Sequence, residues 1–226
     1  MSQELRKLIF VTGTDTEVGK TIATAALAAA LHPETVAVYK PTQTGVSAGQ
    51  PGDVEEVARL TGVQAVAEGI RLREPMAPVP AAAAERRELP TLGDHIARIQ
   101  QLMAQHDRVL VEGAGGLLVK LDLAGHTLAD LMLAFPESTA IVVCRSALGT
   151  LNHTELTLEA LRHRGVSEPK LIIGSWPAAP DRIAFSNHEY LAELRSELLG
   201  AIPSGAGQLS AEQFRAGARS WLKSHG

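Results

Sequence analysis

The sequence predicts an α/β protein, a mostly parallel sheet flanked by helices, and two observations carry that expectation. Short apolar runs alternate with helix-patterned stretches along the chain, which is the signature of successive βαβ units. The runs are continuously apolar, as expected of strands covered on both faces by helices. Within 226 residues, 45% hydrophobic and 20% charged, one large core can be buried. We therefore read residues 1–226 as a single domain, without an internal repeat or a linker long enough to divide it.

The first element is a buried strand, Leu8–Val11. It feeds a loop of small and polar residues, and Lys20-Thr21 open an alanine-rich helix, Thr21–Leu31. Strand, glycine loop and helix ending in Gly19-Lys20-Thr21 form the layout of a phosphate-binding P-loop, so the fold expected is P-loop NTPase-like. Backbone N–H groups between Gly13 and Gly19 can turn toward phosphate oxygens, and the helix N-terminus favours negative charge. Lys20 would reach the β- and γ-phosphates, and the Thr21 hydroxyl would ligate Mg²⁺. Five residues separate Gly13 from Gly19, one more than the usual spacing.

The next strand, Val36–Tyr39, delivers Lys40-Pro41-Thr42-Gln43-Thr44-Gly45 to its carboxyl end. Ligands of open α/β sheets sit beyond those ends, so Lys40 can hold a phosphoryl group or an anionic substrate. A surface lysine at a turn fits the sequence equally well. Asp53 opens a helix over Val54–Leu60, where an N-cap aspartate is common for local reasons alone. Glu74 to Pro80 carries three prolines and is expected to be extended or turning. A helix over Thr91–Gln105 leads to the strand Arg108–Val111, which ends in Glu112-Gly113-Ala114-Gly115-Gly116. A carboxylate there sits where a metal-side acid belongs, and the glycines permit close backbone approach. Mg²⁺ keeps several waters and takes one or two carboxylates, so Thr21, Asp53 and Glu112 with phosphate oxygens make a complete set.

The second half continues with a strand over Ala140–Val143 and a helix over Thr150–Arg164, stopped by Gly165. The strand Lys170–Ile173 runs directly into the irregular segment Trp176–Pro180, and a helix over Ala184–Leu198 follows. Phe214 and Trp221 lie on a terminal amphipathic helix over 210–223, too poor in basic residues to anchor a membrane.

Composition excludes several classes of function. A net charge of −4 with no basic run longer than Arg86-Arg87 argues against nucleic-acid binding. The lone cysteine, Cys144, lies in an apolar run, so it reads as a buried thiol in a reducing compartment. Charged Glu4, Arg6 and Lys7 interrupt any signal-type apolar region, and no window is long and apolar enough to span a membrane. A cytoplasmic protein is expected.

Four segments, in order and spacing across residues 8 to 205, carry a family resemblance. They are Gly13 through Thr21, Lys40-Pro41 with Thr44-Gly45, Val111 through Gly116, and Leu148-Gly149-Thr150-Leu151-Asn152-His153. Together they resemble dethiobiotin synthetase, whose P-loop has this same five-residue spacing. The resemblance implies closure of a cyclic urea on 7,8-diaminononanoate, using CO₂ and ATP with Mg²⁺. It assigns the nucleotide to Thr14, Glu17, Val18, Gly19, Lys20, Thr21, Ile22, the Glu112, Gly113, Ala114 and Gly115 loop, Gly174, Ser175, Pro203, Ser204 and Gly205. It assigns the substrate to Thr16, Lys40 and Thr44. It further implies a homodimer with the diamine at the interface, its carboxylate tail held by Gly149, Thr150, Leu151 and Asn152 of the other subunit. Lys20 and Lys40 become the catalytic lysines, with Thr150 capping the helix that points at the tail. His153 receives no role.

Two alternatives compete with this reading. A nucleotide switch of the ParA/MinD type shares the P-loop and sheet, but its extra signature lysine has no counterpart at positions 13 to 18. A cobyrinate diamide synthase fragment would carry a glutaminase domain, for which the chain has no residues left. The sequence also departs from the family at Gly174, where an asparagine amide often reads the adenine edge. Losing that amide removes discrimination as well as affinity. ATP is therefore expected to lead CTP and GTP by less than about a hundredfold, the scale of one or two good polar contacts. Competition between the three nucleotides checks this, and a larger lead for ATP would refute it.

Overall fold

The computed structural model describes residues 5–222, so Glu4 and residue 223 lie outside it. Seven strands form one sheet: β1 (Leu8–Gly13), β2 (Val36–Gln43), β3 (Ala65–Arg71), β4 (Arg108–Gly116), β5 (Thr139–Cys144), β6 (Lys170–Trp176) and β7 (Leu198–Pro203). Their spatial order is β3-β2-β4-β1-β5-β6-β7, and every paired neighbour is parallel. The helices are α1 (Lys20–Ala30), α2 (Asp53–Thr61), α3 (Pro78–Glu85), α4 (Leu92–Gln105), α5 (Leu128–Leu133), α6 (Thr150–His163), α7 (Arg182–Glu193) and α8 (Ala211–Trp221). The α/β expectation holds. Among the described residues no helix is long and apolar enough to cross a membrane.

Side-chain alternation explains why both faces need cover. Ile9, Val11, Val38, Leu110, Ile141, Val143 and Ile172 face a core built with α1, α2 and α8. The intervening Leu8, Phe10, Tyr39, Val109, Val111, Val142 and Ile173 face a second core that includes α4, α5 and α6 residues. Six of the nine buried residues of α1 are alanine, which lets its backbone lie close to the sheet and carry the P-loop with it.

The chain steps from β1 outward to β2 and later to β5 on the opposite side, so the strand order reverses at β1. The carboxyl end of β1 is thus the natural crevice, and the P-loop fills it. A pair of glycines fixes its height. Gly19 has φ +93°, and a Cβ there would lie 2.6 Å from the Gly174 carbonyl oxygen. A Cβ on Gly174 would lie 2.0 Å from the Val18 carbonyl oxygen. The P-loop and the end of β6 therefore touch backbone to backbone.

Several expectations need correction. The helix expected over Ala184–Leu198 is α7, which ends at Glu193; Leu198 instead pairs with Leu171 in β7. The proline-rich stretch 74–80 is only partly irregular, because Pro78 and Pro80 begin α3, where a missing N–H is harmless. Thr91 precedes α4 as its N-cap, with its hydroxyl accepting from the Asp94 N–H. β3, β7, α3 and α5 had no counterpart among the elements expected from the sequence.

Gly174→Ala should cost about 1–3 kcal/mol, the usual range for overpacking a filled site, because the new methyl must push the P-loop off β6. Urea unfolding measures the loss. Nucleotide affinity should fall in the same variant.

Candidate functional site

β4 runs on through the expected glycine loop to Gly116, so Glu112 is the fifth of its nine residues, with a side chain that is 1% exposed. A buried carboxylate must find donors, and two elements supply them. From α1, the Thr21 hydroxyl donates to Oε1 at 3.0 Å and the Thr24 hydroxyl to Oε2 at 2.8 Å. From β2, Lys40 Nζ donates to Oε1 at 2.9 Å and to the Gly113 carbonyl at 3.3 Å. Lys40 also lies 2.5 Å from Asp53 Oδ2 at the start of α2. Burial works against the Lys40 charge, yet the Glu112 and Asp53 carboxylates outweigh it and raise its pKa above the ordinary lysine value.

Asp53 is not the N-cap of α2. That position is Gly52, and Asp53 is the first helical residue, which frees its carboxylate for Lys40. Gln43 fixes the arrangement: its side-chain oxygen accepts from the Asp53 N–H at 2.9 Å, and its amide donates to the Thr44 carbonyl at 3.1 Å. Thr21 is hydrogen-bonded to Glu112, and Lys40 bridges Glu112 to Asp53. Hard oxygen donors, two of them carboxylates, fit Mg²⁺ completed by water and phosphate. Among the described residues no group of three or more His, Cys, Asp and Glu that could hold a metal is found.

The P-loop itself is braced from outside. Lys20 Nζ donates to the Asp15 carbonyl at 2.9 Å. Arg145, just beyond β5, donates to Asp15 Oδ2 at 3.2 Å and to the Thr16 carbonyl at 2.9 Å. The Thr14 N–H is already bonded to the Val143 carbonyl at 3.0 Å, so Thr14 offers a ligand its hydroxyl. A cleft of about 560 Å³ opens between these groups, lined by Thr16, Glu17, Gly19, Lys20, Thr21, Ile22, Lys40, Gln43, Thr44, Val46, Asp53, Glu112, Ala114 and Gly115. Val18 is buried beneath it. Gly113 packs on Leu128, and Gly174 lies against the P-loop backbone.

Other predicted residues stand away from that cleft lining. Ser175, Ser204 and Gly205 are exposed, with Pro203 at the end of β7. The Ser204 N–H bonds the Trp176 carbonyl at 2.7 Å, which sets these two loops side by side. Gly149, Thr150, Leu151 and Asn152 form the start of α6. Here the capping expectation fails. Gly149, at φ +90°, is the N-cap and no side chain caps the helix. Thr150 Oγ1 is buried and turned toward the Cys144 thiol. The Leu151 and Asn152 end of α6 thereby stays open to solvent, both residues being partly or fully exposed.

Sequence reasoning missed Thr24, Gln43 and Arg145. Thr24 had a signal, since it follows Thr21 by three residues and so shares its helix face. Gln43 acts on Asp53 at the start of the next helix, and Arg145 acts through neighbours distant in sequence.

Comparison with known proteins gives two kinds of match. A family model described as "AAA domain" covers residues 7–212. The ATP-dependent dethiobiotin synthetase BioD of Streptomyces coelicolor is 48% identical, over 95% of this chain and 91% of its own length. Its namesakes from Rhodococcus jostii and Parafrankia sp. are 47% and 49% identical, each over 96% of this chain and over 95% and 92% of their own lengths. Among solved structures, a ParA family ATPase from Chlorobium tepidum matches with a TM-score of 0.57 at 14% identity, covering 97% of this chain and 93% of that one. The MinC:MinD complex of Aquifex aeolicus gives 0.52 at 13%, over 94% and 86%. At such identities the structures speak to the fold alone.

Burial draws the Lys20 pKa down to about 8, against the upward pull of Glu112. Only the protonated amine attracts phosphate, and bound phosphate raises its pKa again. Nucleotide affinity should therefore be level below pH 8 and fall progressively above it, by up to about tenfold per pH unit. Calorimetric titration from pH 6.5 to 9.5 measures this; affinity constant across the range would remove Lys20 from phosphate binding.

Proposed function

The chain belongs to the ATP-dependent dethiobiotin synthetase family, and from that premise we propose that its cleft closes the cyclic urea of dethiobiotin. The family makes it an ATP-dependent ligase. Its proposed substrates are 7,8-diaminononanoate and CO₂, with ADP and phosphate released beside the product. The observation that carries the reading is Lys40, held by Glu112 and Asp53 beside the P-loop. A lysine in that place has no use in nucleotide binding alone.

In the proposed sequence one amine of the diamine adds to CO₂, losing a proton to give a carbamate. A carbamate oxygen attacks the γ-phosphorus and ADP leaves, giving a carbamic–phosphoric anhydride. The second amine attacks the carbonyl carbon and phosphate departs, closing the ring. Both nucleophiles belong to the substrate, so the protein needs to supply positioning and charge stabilisation, not a covalent intermediate.

Lys20 neutralises charge on the phosphoryl oxygens, with the N–H groups between Gly13 and Gly19. Lys40 faces the carbamate and the anhydride, and Thr44 hydrogen-bonds the substrate. Thr21, Glu112 and Asp53 would hold Mg²⁺, whose chemistry is to screen the triphosphate. Thr24 and Gln43 keep the two acids in place. The nucleotide base would lie toward Ser175 and the 203–205 turn.

The diamine's carboxylate is proposed to lie on the open N-terminus of α6, near Gly149 and Asn152, of a second subunit. Supporting this, Leu148 and Leu123 are each 84% exposed, in loops that follow β5 and β4. Burying such side chains between two copies would remove apolar surface from water. The buried thiol of Cys144 suits the reducing cytoplasm we propose as its location.

Phosphate release from the purified protein with ATP, Mg²⁺ and bicarbonate tests the reaction. Release should depend on 7,8-diaminononanoate, and dethiobiotin should appear one-for-one with phosphate. Slow release indifferent to the diamine would instead describe a switch ATPase.

A further inference from the structure

Residues 145–149 make a short turn between β5 and α6. Its first residue, Arg145, grips the P-loop at Asp15 and Thr16. Its last, Gly149, is the N-cap of α6. Between them only Ser146 makes a side-chain bond, donating to the Ser175 carbonyl at 3.1 Å; Ala147 has no polar group and Leu148 is 84% exposed. The further hold comes from α7. Asn187, only 6% exposed, donates from Nδ2 to the Ser146 carbonyl at 2.9 Å and to the Ala147 carbonyl at 3.1 Å. Both partners are acceptors, so the orientation of the amide follows from the contacts themselves. The Ala147 carbonyl also accepts from the Thr150 N–H at 3.2 Å, so one oxygen joins Asn187 to the first turn of α6.

α7 is a firm base for this contact. Asp181 caps it, with Oδ1 accepting from the Ala184 N–H at 2.8 Å. Ala184 and Leu191 are buried. Phe185 and His188 pack on Trp176 at the end of β6, with ring centroids 5.9 and 5.4 Å away. Tyr190 donates to Glu155 at 2.9 Å, tying α7 to the body of α6. A buried amide that spends both protons on two successive carbonyls fixes the backbone of that turn more tightly than chain connectivity does.

We propose that Asn187 is a positioning residue for the substrate: it sets the pose of the 146–149 turn, and thereby the tail-binding face at Gly149 and Asn152. The inference rests on the reading that this face receives the carboxylate of the diamine. Asn187 touches no reacting group, and its two bonds go to the Ser146 and Ala147 carbonyls. Arg145 serves the nucleotide side.

The test compares KM values for diamine and nucleotide in Asn187→Leu and Asn152→Ala, each as the full chain. Leucine keeps the volume but cannot donate. Losing two neutral hydrogen bonds should raise the diamine KM by about tenfold and leave the nucleotide KM within about twofold. Asn152→Ala should also raise the diamine KM. If Asn152→Ala raises it and Asn187→Leu does not, the positioning role is overturned while the tail site stands. If neither raises it, the tail site itself is wrong and the inference goes with it. If Asn187→Leu raises both KM values together, the residue serves general stability and the proposal is overturned. Should Asn187→Leu not fold, Asn187→Ser, which keeps one donor, decides the matter. Its diamine KM should rise about threefold with the nucleotide KM unmoved, and a wild-type diamine KM would overturn the proposal.

Discussion

Glu112 is the group around which the site is organised. A carboxylate with 1% exposure would cost several kcal/mol if left unpaired, and its partners come from two separate elements. Thr21 and Thr24 come from α1, and Lys40 comes from β2. Lys40 in turn draws Asp53 and the start of α2 against the sheet. Satisfying one buried charge therefore registers the P-loop helix, two central strands and a peripheral helix on one another. The same donors are what a phosphoryl-transfer site requires, so stability and chemistry draw on a single network.

Much of this could be read from the chain because the residues were chemically unusual for their places. Gly19-Lys20-Thr21 after an apolar strand suits a phosphate-binding loop and little else, and acids or lysines at strand ends point into the crevice. What escaped was of another kind. β3, Ala65–Arg71, is an edge strand with most residues half exposed, so its apolar pattern is weak. β7 begins at Leu198, where a helical pattern ran on without a glycine or proline to end it. Thr150 was read as a cap from its residue type, whereas its hydroxyl is turned into the core. Gln43, Arg145 and Asn187 look like ordinary polar residues until the fold brings them to their partners. Arg145 and Asp15 are 130 positions apart, and no local pattern records such a meeting.

The likeness to ParA and MinD proteins is a matter of scaffold. A parallel sheet with its reversal at β1 offers the same crevice to any nucleotide-dependent protein, whatever it does with the energy. Family membership is decided by sequence identity along nearly the whole chain.

The backbone contact between Gly174 and Val18 also limits how this protein can change. Position 174 is closed to every side chain, because even a first carbon would collide with the phosphate loop. A lineage of such chains cannot acquire a base-reading amide there by one substitution; the loop and strand would have to separate first. The neighbouring position, Ser175, is exposed and carries no such restriction. On the proposed placement of the base, drift in nucleotide choice is channelled through residue 175 and the facing 203–205 turn, a narrow mutational route laid down by packing.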